Sequence, residues 1–550
     1  MLNKFLKSTF AYLVLILLLS FPLFKSFYNP NLINAHDSMA GLIRALSMDR
    51  YMGHGQGLVR WSPDVNWGYG YPMFNFYPPF FSFISVLFFH LTHQMILAID
   101  WACILFWGLS GIGMFLFARE YWGNEGGLLS AVLYVYAPYH IIDLYVRGAF
   151  AEFSSFAFFP FILLSILLMC RKGGGLGAFL LGVISVFGLS LTHNIMSMLF
   201  LPLAAVYMLY LYIFENRSAW IFKSAGIIAI GLMMSSFFWL PALVEKQYLT
   251  LSYLTFMRYD FHKNFITLGE LFWPLNNFNV DNMSFKVGII PTLLCVATLC
   301  RLPKIFKLNK QLGWGFIFFL VNGLLAVFLT LSNSLFLWEH IKLLSFIQFP
   351  WRILTVIVFS MSFLCGSAAI LIQNPRIKVF SVAAVILLVI TFSLKSNPQP
   401  TFINDVQRVE DFLALGEGEY TPKWVVIPPN GPPDRKFDVF SGEGRLAPEK
   451  MINPVHYVTK FLALQPSSLY FNSFYFPGWQ VLIDGQPTDP HLDNPYGLIL
   501  FNVPYGDHDI QVFFGTTPIR ITGMIFSVIG LILLIGVLFW KEMYATSLPD

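Results

Sequence analysis

Four clusters of polar residues interrupt an otherwise apolar chain, and each carries a chemistry. His36-Asp37 stands ten residues beyond the first apolar stretch, 9–27. An aspartate there, beside a histidine and followed by aromatics and arginine, could serve as a general base. Asp37 equally fits the capping position of a helix, because Ser38–Met48 has helical apolar spacing. The second cluster, Asp143-Leu-Tyr-Val-Arg147-Gly-Ala-Phe-Ala-Glu152, sets two acids and one arginine in ten residues between apolar runs. Charges at membrane depth are expensive and mark function by default; the structural alternative is an Arg147–Glu152 ion pair closing the loop. In the third, Gln348-Phe-Pro-Trp-Arg352, the arginine fork suits a phosphate or snorkels to lipid headgroups. The fourth runs from Gln56 through Arg60-Trp61 to Gly68-Tyr-Gly-Tyr71-Pro and Tyr77-Pro-Pro79. Its rings could stack on a sugar or form an interfacial belt, and Gly68 and Gly70 argue for a folded loop. His193-Asn194 ends an apolar run and has packing or capping as its default role.

These clusters need elements to hold them, and composition says of what kind. Of 550 residues 56% are hydrophobic, 18% aromatic and only 12% charged, with a mean hydropathy of +0.64. Soluble domains carry about 25% charged residues, so soluble, disordered and nucleic-acid-binding classes are excluded. A polytopic α-helical membrane protein remains. Its net charge of +4 conceals a division. Residues 396–518 hold seven Lys/Arg against fourteen Asp/Glu, a balance of −7, while the remainder carries 27 bases and 16 acids, a balance of +11. The five cysteines all lie in apolar runs and read as packing residues, with no disulfide framework or Cys-x-x-Cys metal pattern.

Apolar stretches long enough to approach a bilayer crossing predict about twelve transmembrane helices: 9–27, 94–118, 127–142, 153–170, 176–193, 195–214, 223–243, 288–300, 312–332, 353–373, 379–395 and 519–540. Counting Pro78–Leu91 as a further span would move Arg171-Lys172 and Arg301–Lys310 outside, against the positive-inside rule. It is therefore expected as a juxtamembrane or re-entrant helix. Both termini are then cytoplasmic, and loops 28–93, 143–152, 244–287 and 333–352 face outward. No cleavage site follows the first stretch, which is expected to stay as an uncleaved helix. The domains are thus a helical body over 1–395, an extracytoplasmic β-sandwich-like domain over 396–518, and a last helix with its tail over 519–550. Strand-like text at Ser468–Phe476, Trp479–Ile483, Gly497–Val503 and His508–Phe514, separated by Pro477-Gly478, Asp484-Gly485 and Tyr505-Gly506, supports the β domain. No internal repeat is present, which weakens transporter folds built from duplicated halves.

Together, His36-Asp37, Gln56–Trp61, Gly68–Pro72, Tyr77–Pro79, Arg147-Gly-Ala with Glu152, Phe349–Arg352, Gly418–Pro422 and Phe476–Trp479 resemble bacterial multispanning membrane proteins of the "6-pyruvoyl-tetrahydropterin synthase-related" domain. The label implies no pterin chemistry. The family is similar to YfhO-type proteins and, more distantly, to GT-C glycosyltransferases. The resemblance implies a GT-C-like body with catalytic acids in the first two outer loops, here Asp37 and Glu152, with Asp143 a rival for the second. It implies transfer of a sugar from a polyprenyl-phosphate donor to a glycan, lipid or protein hydroxyl, on the outer face of a bacterial cytoplasmic membrane. Asp37 would deprotonate the acceptor as the anomeric carbon becomes oxocarbenium-like. Arg60, Arg147 and Arg352 would stabilise the leaving phosphate. His36, Trp61, Tyr71, Tyr77 and Asp143 would complete the substrate-binding set. No cofactor is required. A divalent cation has little support, since one carboxylate beside a histidine makes a poor site. Membrane lipids, not nucleic acid, are the remaining partners. The other readings are a lipid-linked-sugar or solute transporter and a non-catalytic envelope-assembly protein.

Overall fold

The computed structural model describes residues 2–171, 174–215, 220–250, 260–272, 283, 285–396, 401–403 and 418–545. Lys172, one of the charges used to orient the chain, lies outside these residues, as does much of loop 244–287. Each of the twelve expected stretches has a helical counterpart, but not all are simple crossings. Among the described residues, seven segments are long and apolar enough to cross a membrane, and nine if each of two bent pairs counts as one span. The bent pairs are Ile221–Met234 with Ser236–Tyr248, at 68°, and Ile289–Leu299 with Leu302–Leu308, at 62°. Thr9–Phe24, Phe80–Thr92 and Leu176–Thr192 are shorter apolar helices.

The longest helical segment, Met95–Val135, turns back on itself at Gly123, whose φ of 73° and ψ of −178° leave the helical region. Trp107 Nε1 donates to Val135 O at 3.1 Å. A Cβ on Gly111 would come within 2.9 Å of the Val135 side chain. The stretches expected at 94–118 and 127–142 are therefore two arms of one hairpin, and glycine permits the turn. Phe80–Thr92, the segment not counted as a span, is a 13-residue helix packed against the first arm.

The β domain has two antiparallel layers. After a two-stranded pair, β1 (Leu32–Ile33) with β2 (Phe402–Ile403), come β3 (Phe437–Ser441), β4 (Gly444–Leu446), β5 (Lys450–Asn453), β6 (His456–Ala463), β7 (Ser467–Phe474), β8 (Trp479–Ile483), β9 (Gln486–Thr488), β10 (Leu498–Val503) and β11 (Gly506–Phe514). One sheet runs β10-β7-β3, the other β4-β6-β11-β8-β9 with β5 also on β6. The four strands expected from sequence are β7, β8, β10 and β11. The hairpin β8–β9 closes on Asp484-Gly485, both at positive φ (51° and 77°), the two-residue turn that matches strand twist. Phe437, Phe461, Leu469, Phe471, Ile499, Phe501 and Val512 are buried between the layers.

The two parts are joined by an aromatic plug and a buried charge cluster. Trp61 enters the β-domain core, with its ring centroid 6.4 Å from Phe476, 5.7 Å from Trp479 and 5.5 Å from Phe514. Behind it, Arg60 Nη1 donates to Asn75 Oδ1 at 3.0 Å, and Asn75 Nδ2 to Glu245 Oε2 at 2.7 Å. Arg520 reaches the same carboxylate oxygen through Nη2 at 3.0 Å, and Thr517 Oγ1 donates to Glu245 Oε1 at 2.6 Å. One acid thus ties the first long loop, the bent pair and the final helix together. Removing one partner from a buried pair strands the other, at a cost of about 3–5 kcal/mol. Glu245→Ala is therefore expected to lower the thermal midpoint of the detergent-solubilised protein sharply; an unchanged midpoint would show the cluster to be inert.

Candidate functional site: a charged cavity beneath the first loop

The chain reaches Asp37 from β1, whose pairing with β2 and the Asn34 N–H bond to Thr401 O (2.8 Å) anchor the approach. His36 and Asp37 then lie against the 146–147 backbone: His36 N–H donates to Val146 O at 3.1 Å and Asp37 N–H to Arg147 O at 2.7 Å. Gly148 makes this approach possible. Its φ is +63°, and a Cβ there would fall 2.6 Å from the Ser38 nitrogen. The Arg147-Gly-Ala motif is thus a close-approach turn as well as a source of charge.

Asp37 does precede the helix Ser38–Tyr51, but its side chain makes no capping bond. Ser38 organises the turn instead, with Oγ donating to Ile33 O at 2.5 Å and accepting from Ala35 N–H at 3.2 Å. The side-chain capping reading of Asp37 gives way; only its backbone carbonyl meets the helix, accepting the Gly41 N–H at 3.0 Å. His36 and Asp37 are exposed, and both line a cavity of about 450 Å³. Among the described residues the Asp37 carboxylate accepts no hydrogen bond.

The opposite wall is an ion-pair network. Glu152 is 1% exposed. Its Oε2 receives Arg147 Nη1 at 2.9 Å and Arg352 Nε at 3.2 Å, and its Oε1 receives Tyr139 OH at 2.6 Å. Arg147 Nη1 also pairs with Asp143, and its guanidinium lies 4.6 Å from the Trp351 ring centroid. Arg352 Nη1 donates to Gln348 Oε1 at 2.6 Å and Ile347 O at 3.1 Å. Gln348 has a left-handed φ of 67°, uncommon for a residue with a side chain, and is held there beside the arginine it orients. Neither Arg147 nor Arg352 has a partner for Nη2 among the described residues, so each keeps a donor for a ligand. The Arg147–Glu152 pair expected as a structural alternative is present, and both of its members line the cavity.

Of the expected site residues, His36, Asp37, Tyr77, Arg147, Glu152 and Arg352 converge here. Four do not line the cavity. Asp143 is fully buried behind Arg147. Tyr71 is buried, and its hydroxyl accepts the Tyr420 N–H at 2.6 Å, so it shapes the wall through its neighbour. Trp61 is inside the β-domain core. Arg60 belongs to the Glu245 cluster, where burial, with Arg520 adding to it and Glu245 opposing, draws its guanidinium down to about 10. The placement of Tyr71, Trp61 and Arg60 comes from partners far along the chain that local spacing does not reveal.

Sequence reasoning missed Arg44, whose guanidinium sits 3.6 Å from the Tyr77 ring centroid. The signal was available: Arg44 is the lone cation within the helical stretch Ser38–Met48, two turns beyond Asp37 and on the same face. Glu419 and Tyr420, at the start of the described β domain, close the cavity from the other side. A separate, mostly apolar crevice of about 260 Å³ lies further along the same helix, lined by Met48 and Met52 with Arg60, Phe74, Phe80 and Phe83. Among the described residues no three His, Cys, Asp or Glu side chains group to hold a metal ion. Both Glu152 oxygens are already taken by Tyr139 and the arginines.

Residues 74–403 match the 6-pyruvoyl-tetrahydropterin synthase related domain, a membrane protein domain. The chain belongs to this family. The match covers the helical body from residue 74 onward and most of the cavity wall, though not Asp37. A protein described as uncharacterized, from Lactococcus lactis subsp. cremoris strain MG1363, is 25% identical over 253 residues, 44% of this chain and 41% of that relative. Among solved structures, the Archaeoglobus fulgidus oligosaccharyltransferase is similar at 12% identity and a TM-score of 0.43, over 76% of this chain and 60% of that one. The mycobacterial arabinofuranosyltransferase AftD is similar at 16% identity and a TM-score of 0.42, over 71% of this chain and 26% of that one. The chain thus matches less than two thirds of the length of each.

Proposed function

We propose that the protein is a membrane glycosyltransferase of GT-C type, moving a sugar from a polyprenyl-phosphate donor to a hydroxyl of an envelope glycan, lipid or protein on the extracytoplasmic face. The observation that carries this reading is one cavity in which Asp37, whose carboxylate accepts no hydrogen bond among the described residues, shares the lining with Arg147 and Arg352. Glycosyl transfer from a lipid phosphate needs these parts together. A base takes the acceptor proton as its oxygen attacks the anomeric carbon, and cations receive the departing phosphate, which needs little protonation. Glu152 holds both guanidiniums in place, so its role is to fix their geometry. The adjoining crevice beside Met48 and Met52 suits the first isoprene units of the donor, bringing the apolar tail and charged head to neighbouring turns of one helix.

Purified protein incubated with a panel of polyprenyl-phosphate sugars, with mass spectrometry of candidate acceptors, tests the proposal. Mass gain by one sugar unit, dependent on the donor, supports it; no transfer from any donor to any acceptor overturns it. Arg352→Ala is expected to weaken donor binding about ten-fold or more, since a hydrogen bond to a charged group contributes about 1.5–3 kcal/mol. Titration of the variant with labelled donor measures this, and an unchanged affinity returns Arg352 to lipid-headgroup snorkelling.

A further inference from the structure

His193 joins the helix Leu176–Thr192 to the helix Asn194–Glu215, and its backbone is held at both ends. Its N–H donates to Leu189 O at 3.1 Å, and its carbonyl accepts from Ser197 N–H at 3.0 Å. The side chain is equally constrained. Nδ1 lies 3.2 Å from the backbone nitrogen of Met196, in the first turn of the second helix. A backbone amide can only donate, so Nδ1 is the acceptor, carries no proton, and the ring is the neutral tautomer with its hydrogen on Nε2. That Nε2–H has no partner among the described residues, and the ring lines the same cavity as Asp37 and Arg352. The charges acting on it are Glu152, Arg352, Arg147 and Arg44. Glu152, the anion among them, already has both oxygens engaged, by Tyr139 and by the two arginines. Among the described residues, therefore, no acceptor is left for Nε2–H, which stands open to a ligand in the cavity.

We infer that His193 is a substrate-binding residue whose Nε2–H donates to a phosphate oxygen of the lipid-linked donor. The assignment rests on the donor class proposed above. A neutral donor suits this position: it adds a directed hydrogen bond to the anion without adding a further cation to a wall that already holds Arg44, Arg147 and Arg352.

Two substitutions separate binding from helix capping, because each keeps one half of the ring's function. His193→Asn places an amide oxygen near the Nδ1 position, preserving the bond to Met196 N–H, but carries nothing at Nε2. His193→Gln places an amide N–H near the Nε2 position and loses the acceptor at Nδ1. Wild type and both full-length variants are titrated with undecaprenyl phosphate in detergent micelles, and thermal midpoints are recorded alongside. The expected result is about a ten-fold loss of affinity in the asparagine variant at an unchanged midpoint, and near wild-type affinity in the glutamine variant at a lowered midpoint. Unchanged affinity in the asparagine variant overturns the inference and leaves His193 a helix cap. Affinity that falls in both variants in step with the midpoint overturns it likewise. Wild type that fails to bind undecaprenyl phosphate overturns the donor class itself, and this is read before either variant. Equal, His193-dependent binding of phosphatidic acid assigns the contact to bilayer headgroups and overturns the donor assignment.

Discussion

Replacing Asp37 with asparagine is expected to lower sugar transfer by about 10²–10⁴-fold, the range carried by a positioned general base, with no change in the thermal midpoint. Both halves of this expectation come from the geometry. The carboxylate is exposed to the cavity and makes no capping bond, and Ser38 ties down the turn before the helix. Asparagine is nearly isosteric and leaves the backbone bond to Arg147 O intact, so nothing structural is removed. Donor binding should also persist, since the phosphate contacts are assigned to the far wall. Transfer rates at saturating donor, measured beside a melting curve, check the result. A variant retaining more than about a tenth of wild-type transfer would remove Asp37 from the chemistry, because a base contributes at least about 10²-fold.

Arg147→Met should be the most damaging change to the protein as a whole. Arg147 pairs with Glu152 at 2.9 Å and also with Asp143, and all three side chains are nearly inaccessible. Removing it leaves two buried carboxylates short of a cation, a loss of about 3–5 kcal/mol for a broken buried pair. Arg352 still reaches Glu152, whereas Asp143 has no other cation within bonding distance among the described residues, and its Oδ2 is already without a partner there. Adding Asp143→Asn to Arg147→Met should therefore recover part of the lost stability without recovering transfer, because the guanidinium that faces the ligand is still missing. Thermal midpoints and transfer rates of the single and double variants test this. Recovery of activity in the double variant would show that Arg147 serves only to neutralise Asp143.

The sequence carried the parts of this site that depend on type and local spacing. His36-Asp37, Arg147 with Glu152, and Arg352 stand out because ionised groups are scarce in an apolar chain, and three separate loops bring them to one cavity. The strands β7, β8, β10 and β11 were visible because their turns are marked by glycine; β4, β5 and β9, three or four residues each, carry too little alternation to register. Arg60 and Trp61 were misplaced for a different reason. Their partners, Glu245, Arg520, Phe476 and Phe514, are hundreds of residues away, and a short motif rich in arginine and tryptophan has the same composition whether it meets a sugar or another domain. The number of crossings was harder to read than the positions of the helices. Hydropathy locates apolar segments, but it does not register the 68° and 62° bends between paired helices.

The cavity wall has a bearing on when the protein becomes competent during its synthesis. Asp37 emerges from the ribosome early, yet Tyr420, which closes the cavity, follows 383 residues later. Tyr420 is fixed by its N–H bond to Tyr71, and the adjoining segment by the Thr250 and Lys423 backbone bonds to Thr421 O and Tyr248 O. The clasp on Glu245 waits longer still, for Thr517 and Arg520. A nascent chain therefore carries Asp37 through most of translation in an unfinished pocket. At about 5–20 residues per second, that interval is on the order of twenty to eighty seconds. The cavity wall is complete only once the carboxy-terminal domain has folded, so the order of the chain sets when the pocket closes.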